Sequence, residues 1–513
     1  MQHAVAGFLL SGLMHGLLCL AHPTGKSPPV VGILLSENVA HGKVAYPNTA
    51  AYNASNVYWS GRQDMEPSCI VLPAYPEDVS KALGLVTKHD SPFTVRAGGH
   101  TAFPKGSNIQ AGVVIAMDSM SDIHVSSDRS TVSVGPGARW INVTDTVTPL
   151  GLAVVGGRAP TVGVSGFILG GGLSFLTGRR GLGCDNVRNF QVALVSGKIV
   201  NANPKENKDL YWALRGGGGS SFGIVTRFDL EAYEQGDVWS RLTMWPASDT
   251  ANVLSTFTRV TREKLHSGQD PDSHLIFGLT YSGAPGDAPI PTVYGFHLNL
   301  SSLYAPGGEF DTMEAFAQLP EPLSNNTLIT DIPGQIRSTS RSVFGQRQSW
   351  YATSVSDGVN SNGFMNDITK VFTTFANELR ADVKARGASL NTSMVFQPLT
   401  NPTFKAMQRN GGNALGLKPA EFPSYIISIP MTWTDSALDD MIDTRTNQFI
   451  DNLNAMAQER GFGYGYEYMN YSGRLQDVIA SYGKKNQAKL RAIASKYDPD
   501  GLLRKLWTGY FKP

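Results

Sequence analysis

His100 stands in the stretch AGGHTAFPKG, behind Gly98 and Gly99 and shortly before Pro104 and Gly106. An imidazole on so unhelical a loop is placed for close approach to something, because the paired glycines remove the side chains that would obstruct it. Further along lie three more glycine-rich stretches: Thr161 to Leu173, Gly181 to Asn186 and Gly216 to Val225. Runs of backbone N–H groups unshielded by side chains form concave anion-binding nests, which suit a pyrophosphate. One large cofactor lying across several loops accounts for all four.

Familiar single motifs do not. GPGARW (135–140) and GLGCDN (181–186) each lack the third glycine of a dinucleotide fingerprint, and no G-K-S/T follows any run. GSSFG (219–223) has the spacing of a nucleophile elbow around Ser221. An elbow needs a strand before it and a helix after it; here the helical DLYWAL precedes and the strand-like IVTRFDL follows. HExxH and paired CxxC patterns are absent, so no metal centre is expected.

The elements that must position these loops read as α+β. Between Cys69 and Leu230 short β-branched runs alternate with helical patterns. Pro76 to Lys88 repeats Val79, Leu83 and Val86 on one face, and a second helix is expected within 138–150. From Gln235 longer strands (HLIFGLTYS, TVYGFHLNL, YIISIPMTW) alternate with helices over 367–386 and 437–459, predicting a second α+β domain with an antiparallel sheet. A last helix is expected over 482–497.

Taken whole, 513 residues imply more than one domain. With 43 Lys+Arg against 42 Asp+Glu and no charged block, nucleic acid and anionic membranes are poor partners. The apolar N-terminus ending in Cys19-Leu20-Ala21 reads as a cleavable signal peptide over 1–21, and no later segment is long enough to span a bilayer. Sequons at Asn53, Asn142, Asn299, Asn325 and Asn391 fit an N-glycosylated, secreted protein. Beyond the signal only Cys69 and Cys184 remain, expected as small buried residues, with one bridge between them left open.

VRAGGH, PTVGVSGFILGGGLSFLTGRRGLGCDNV, LYWALRGGGGSSFGIVTRF, YMNYSG and YDPDGLL, in that order, resemble the FAD-linked oxidoreductases with a PCMH-type FAD domain, and within them the fungal berberine bridge enzyme-like oxidases. The resemblance runs over Pro67 to Ala232 and from Tyr464 to the C-terminus. It implies a two-lobed, vanillyl-alcohol-oxidase-like FAD domain over 67–234, completed by a berberine-bridge-like segment over 461–513. An N-terminal segment, 22–66, precedes it, and a substrate domain, 235–460, is inserted between the halves.

By the same resemblance His100 is the covalent 8α anchor of FAD. Ala159 occupies the place of a second, cysteinyl anchor, so attachment is monocovalent. Arg96, Ala97, Gly98, Gly99 and Thr101, with Thr161, Gly163, Ser165, Gly166, Gly170, Gly171, Gly172 and Leu173, are expected around the pyrophosphate and flavin. Val162 stands at the position gating oxygen, and Asp185, Asn186, Ile224 and Val225 on the adenosine side. Tyr468, Asn470 and Tyr471 reach back to the isoalloxazine, so the Asn470 sequon is expected to be buried and unmodified. Tyr471 is the candidate base, with Tyr468 second. An ordinary tyrosine titrates near ~10, so a base at neutral pH needs a cationic or hydrogen-bonding partner. Tyr294, His297, Trp350 and Tyr351 are candidates for touching substrate.

The activity implied is an FAD-dependent oxidase acting on a small organic molecule, with O2 as acceptor and H2O2 as product, in secondary metabolism; a monomer is expected. A carbohydrate oxidase, a flavin-scaffolded cyclase or Diels–Alderase, and a non-catalytic flavoprotein are the alternatives.

Overall fold

Pro76 opens a helix over Pro76–Lys88, with Glu77 and Asp78 in its first turn and Lys88 in its last, as the helix dipole favours. Its Val79, Leu83 and Val86 are fully buried. The computed structural model describes residues 29–39, 44–281, 287–301, 311–339 and 343–513. The expected signal peptide lies outside them.

That helix packs on a four-stranded sheet ordered Val44–Ala45, Cys69–Val71, Val113–Ala116, Phe93–Arg96. The last three strands are parallel, so the chain leaves Phe93–Arg96 at a strand C-terminus, straight into Ala97–Thr101. A five-stranded antiparallel sheet adjoins it, ordered Ile123–Val125, Thr131–Val134, Ile224–Glu231, Val187–Ala193, Ile199–Ala202. Cys69 and Cys184 are buried in different cores and are not bridged.

The third sheet has seven strands, all antiparallel: Ser324–Thr330, Val238–Met244, Ile290–His297, Ser273–Thr280, Leu390–Leu399, Ser424–Trp433, Arg347–Ser356. One face buries Leu275, Phe277, Met394, Phe396, Tyr425 and Ile427 against the helices Thr250–Val260, Ser361–Ala385 and Asp439–Glu459. Successive strand residues point to opposite faces, so His274, Gln397, Ile426 and Trp350 point the other way, toward the glycine-rich loops and the C-terminal segment. The helix expected over 482–497 runs Lys484–Tyr497, and a short one, Leu502–Leu506, follows it. Among the described residues no helix is long and apolar enough to cross a membrane.

Candidate active site

The first loop is shaped by a close approach. A Cβ on Gly98 falls 2.5 Å from the backbone of Gly163, and one on Gly163 falls 2.6 Å from Gly98. Only glycine at both places lets the two loops touch backbone to backbone. Gly163→Ala is accordingly expected to destabilise the protein by about 1–3 kcal/mol, seen as a lower thermal midpoint together with weaker FAD uptake.

Beyond this contact the amides of Gly98, Gly99 and His100 donate to no acceptor among the described residues, although both glycines are buried. The Nε of buried Arg96 is also unpartnered, while its Nη2 pairs with Asp118. Gly166, in the helix Val164–Leu169, is exposed with no atom within 4 Å of where a Cβ would stand. Unused donors beside a cation and an open glycine fit a polyanionic cofactor such as FAD. Ser165 donates its hydroxyl to the Pro136 carbonyl at 2.7 Å.

His100 lies 3.1 Å from Thr161 Oγ1 through Nε2 and stacks on Trp59, with ring centroids 4.1 Å apart. Burial, with the Arg139 charge adding, pushes its imidazole down to about 3. It is therefore neutral at neutral pH and keeps a nucleophilic lone pair. Arg139 in turn donates to the Thr161 carbonyl.

The C-terminal segment closes the other side. Gly171 and Gly172 hold φ of +112° and +94°, a conformation open to glycine. That turn aims the amides of Gly172 and Leu173 at Tyr468 Oη, 3.0 and 2.8 Å away, and Asn470 Nδ2 adds a third donor at 3.1 Å. Even so, burial and the neighbouring Tyr471 push the Tyr468 phenol up, so it stays protonated. Asn470 also donates to the Phe167 carbonyl at 2.9 Å, and its side chain fills the space a Cβ on Gly170 would need.

Tyr471 differs. It is partly exposed, edge-on to Tyr468 and stacked on Trp350 with centroids 4.7 Å apart. Its Oη accepts a hydrogen bond of 2.8 Å from Arg158 Nη2. Arg158 is held in turn by Gln397 Oε1 and by His274 Nε2, the latter 3.2 Å from Nη1. A guanidinium can only donate, so His274 presents a bare Nε2. Burial and the Arg158 charge push that histidine down to about 3.

A histidine depressed in the folded state stabilises it fully above the ordinary value and loses that contribution as pH falls toward the folded one. Between pH 6.5 and 3 the protein is expected to lose stability, with His274 contributing up to about 1.4 kcal/mol per pH unit. Denaturant titrations across that range should show a shallower slope for His274→Gln.

Not every expected residue lies here. Tyr351 follows Trp350 by one, so it points to the helix side, fully buried, with its hydroxyl on Asp443. His297 shares the parity of Val293 and sits 3.5 Å from Asp270, away from Tyr471. Neither touches this site, and both expectations are corrected by strand alternation. Tyr294 packs against Phe175, 6.0 Å between centroids, and Arg158 lies over the same Phe175. Asp185 is fully buried between Arg215 and Asn413, at 3.1 and 2.8 Å. Asn186 donates to the Arg180 and Leu182 carbonyls. Ile224 and Val225 begin a buried strand. Arg158, His274, Gln397 and Trp59 were not anticipated. Only Arg158 left a signal, as an isolated charge in GGRAPTVG.

The profile of the FAD binding domain family matches residues 67–203. FAD-dependent monooxygenase tpcD of Cochliobolus heterostrophus is 32% identical over 488 residues, covering 91% of this chain and 89% of the relative. The chain belongs to the same family as this relative, the FAD-linked oxidoreductases named FAD-dependent monooxygenases. A second relative in this family, FAD-dependent monooxygenase FUP4 of Fusarium proliferatum, is 30% identical over 484 residues, covering 90% of this chain and 88% of that one. Among solved structures, xylooligosaccharide oxidase from Myceliophthora thermophila C1 superposes with a TM-score of 0.75 at 20% identity, covering 94% of this chain and 99% of that one. For 6-hydroxy-D-nicotine oxidase from Arthrobacter nicotinovorans the TM-score is 0.74 at 20% identity, covering 91% and 97%. These two likenesses carry the fold, and the match to the FAD binding domain and to the FAD-dependent monooxygenases makes this chain an FAD-binding oxidoreductase.

Proposed function

We propose that the chain is an FAD-dependent oxidase in fungal-type secondary metabolism, taking a hydride from a CH–OH or related C–H centre of a small organic substrate. O2 is the final acceptor and H2O2 the product. The observation that carries the proposal is the hydrogen bond from Arg158 to Tyr471. Such an oxidation removes a proton and a hydride; the flavin supplies the hydride acceptor, and the protein must supply the base and the orientation. Tyr471 Oη takes the proton, and Arg158, which donates a hydrogen bond to that oxygen, holds it in place. Tyr468, protonated and fixed by three donors, is the less suited of the two. Trp350 and Tyr471 together offer a flat aromatic wall on which a substrate ring can lie.

The amides of 98–100 and Arg96 would hold FAD, with His100 as its single covalent tether. Val162, partly exposed next to Thr161, stands as the oxygen-gating residue. Export is part of the same reading: the five sequon asparagines are all exposed, whereas the Asn470 amide is engaged inside.

Two measurements test the proposal. Peroxide release from a panel of primary and secondary alcohols and oligosaccharides supports the oxidase, and the responding class names the substrate. Cyclised product without peroxide from any polyene or diene substrate overturns it. Denatured protein passed over a filter should retain its yellow colour; colour in the filtrate contradicts the His100 tether, which His100→Ala should abolish.

A further inference from the structure

We propose that Trp59 is a positioning residue for attachment of the flavin to His100, an inference that rests on His100 being the tether. The matched FAD binding domain begins at residue 67, so Trp59 reaches the site from outside it. Its indole is 5% exposed and stacks on the imidazole with an interplanar angle of 15°. The stack fixes the plane of the His100 ring, and the 3.1 Å contact with Thr161 fixes its rotation within that plane.

The Trp59 backbone is held from both sides: its N–H donates to the Gly99 carbonyl at 3.1 Å, and its carbonyl accepts from the Gly345 N–H at 3.0 Å. One residue on, Ser60 Oγ exchanges hydrogen bonds with the backbone of Gln348. Three residues on, Arg62 meets Asp443 with two hydrogen bonds of 3.1 and 2.6 Å, both side chains 1% exposed. Arg474 donates to the same carboxylate at 2.6 Å, three residues after Tyr471. One buried ion cluster thus sets the segment that orients His100 and the segment that carries Tyr471.

Attachment forms one bond, between an imidazole nitrogen and the flavin 8α methyl carbon. One hydrogen leaves that carbon and one leaves the imidazole. The two protons and two electrons end on dioxygen as hydrogen peroxide. An imidazole already lying in one orientation removes much of the cost of reaching that geometry.

The test follows bond formation directly. Flavin-free protein is incubated with FAD, denatured at intervals, and its covalent flavin read as fluorescence of the protein band; FAD bound before denaturation is measured alongside. Trp59→Met, which keeps an apolar side chain but not the ring, should attach flavin about 10-fold or more slowly while still binding it. Trp59→Phe, which keeps a smaller ring, should fall between. Attachment by both variants at the wild-type rate overturns the proposal; if the Met variant does not fold, a wild-type rate for Trp59→Phe does so alone. Wild-type protein that never retains flavin refutes the His100 reading instead, whereas retention lost only in His100→Ala upholds that reading and leaves Trp59 judged on its own rates.

Discussion

Replacing Tyr471 by phenylalanine is expected to lower turnover by roughly 10²–10⁴-fold, the range for removing a positioned general base. The ring still stacks on Trp350, and nothing in the hydrogen-bond set of Tyr468 depends on the Tyr471 hydroxyl. Flavin content and thermal midpoint should therefore stay near wild type. Tyr468→Phe should behave differently. It strips the acceptor from the amides of Gly172 and Leu173 and from Asn470, so cofactor binding and stability should suffer along with rate. Steady-state peroxide release, measured beside flavin absorbance, separates the two. A Tyr471→Phe protein with undiminished turnover removes Tyr471 from the role of base.

The second large effect is expected at Arg158. Methionine there keeps the stem but removes the cation that faces Tyr471 Oη, and turnover should drop roughly 10²–10³-fold, as when a preorganised donor is lost. It also leaves Gln397 Oε1 and His274 Nε2 without their donor, both on buried side chains, at a cost of about 1–3 kcal/mol. Lysine restores charge without the planar fork that reaches three partners, so Arg158→Lys should recover only part of the rate. If Arg158→Met matches wild type in kcat, the guanidinium has no part in the chemistry and serves packing alone.

The close packing of the glycine-rich loops was legible because glycine clusters report backbone approach, and the geometry at Gly98 and Gly163 shows such an approach directly. The long helices were legible for a simpler reason: their apolar spacing is strong, and only their ends moved, by six residues at the start of Ser361–Ala385. The substrate face was harder to read. A strand run such as QSWYATS contains two aromatics in succession, and period-two alternation allows only one of them at the site. Which one depends on register against Ser424–Trp433, a pairing between strands far apart in sequence. Trp350 proved to face Tyr471 and Tyr351 the helices.

Arg158 shows the same limit from another side. Its neighbours His274, Gln397 and Tyr471 come from two strands of the large sheet and from the C-terminal segment. No spacing in one dimension encodes that meeting. Trp59 was hidden because it lies in a segment without periodicity, ahead of the glycine-rich domain, and meets His100 through a ring stack and a backbone bond to Gly99 that no spacing encodes.

The most direct test of the account is an anaerobic mixing experiment on flavin-loaded protein with the alcohol and oligosaccharide panel, followed by admission of air. The account predicts that a substrate bleaches the flavin in wild type, that bleaching slows sharply in Tyr471→Phe, and that oxygen restores the colour with one peroxide formed per flavin. Product formation with the flavin remaining oxidised throughout would contradict it and point to a cofactor that only scaffolds the site.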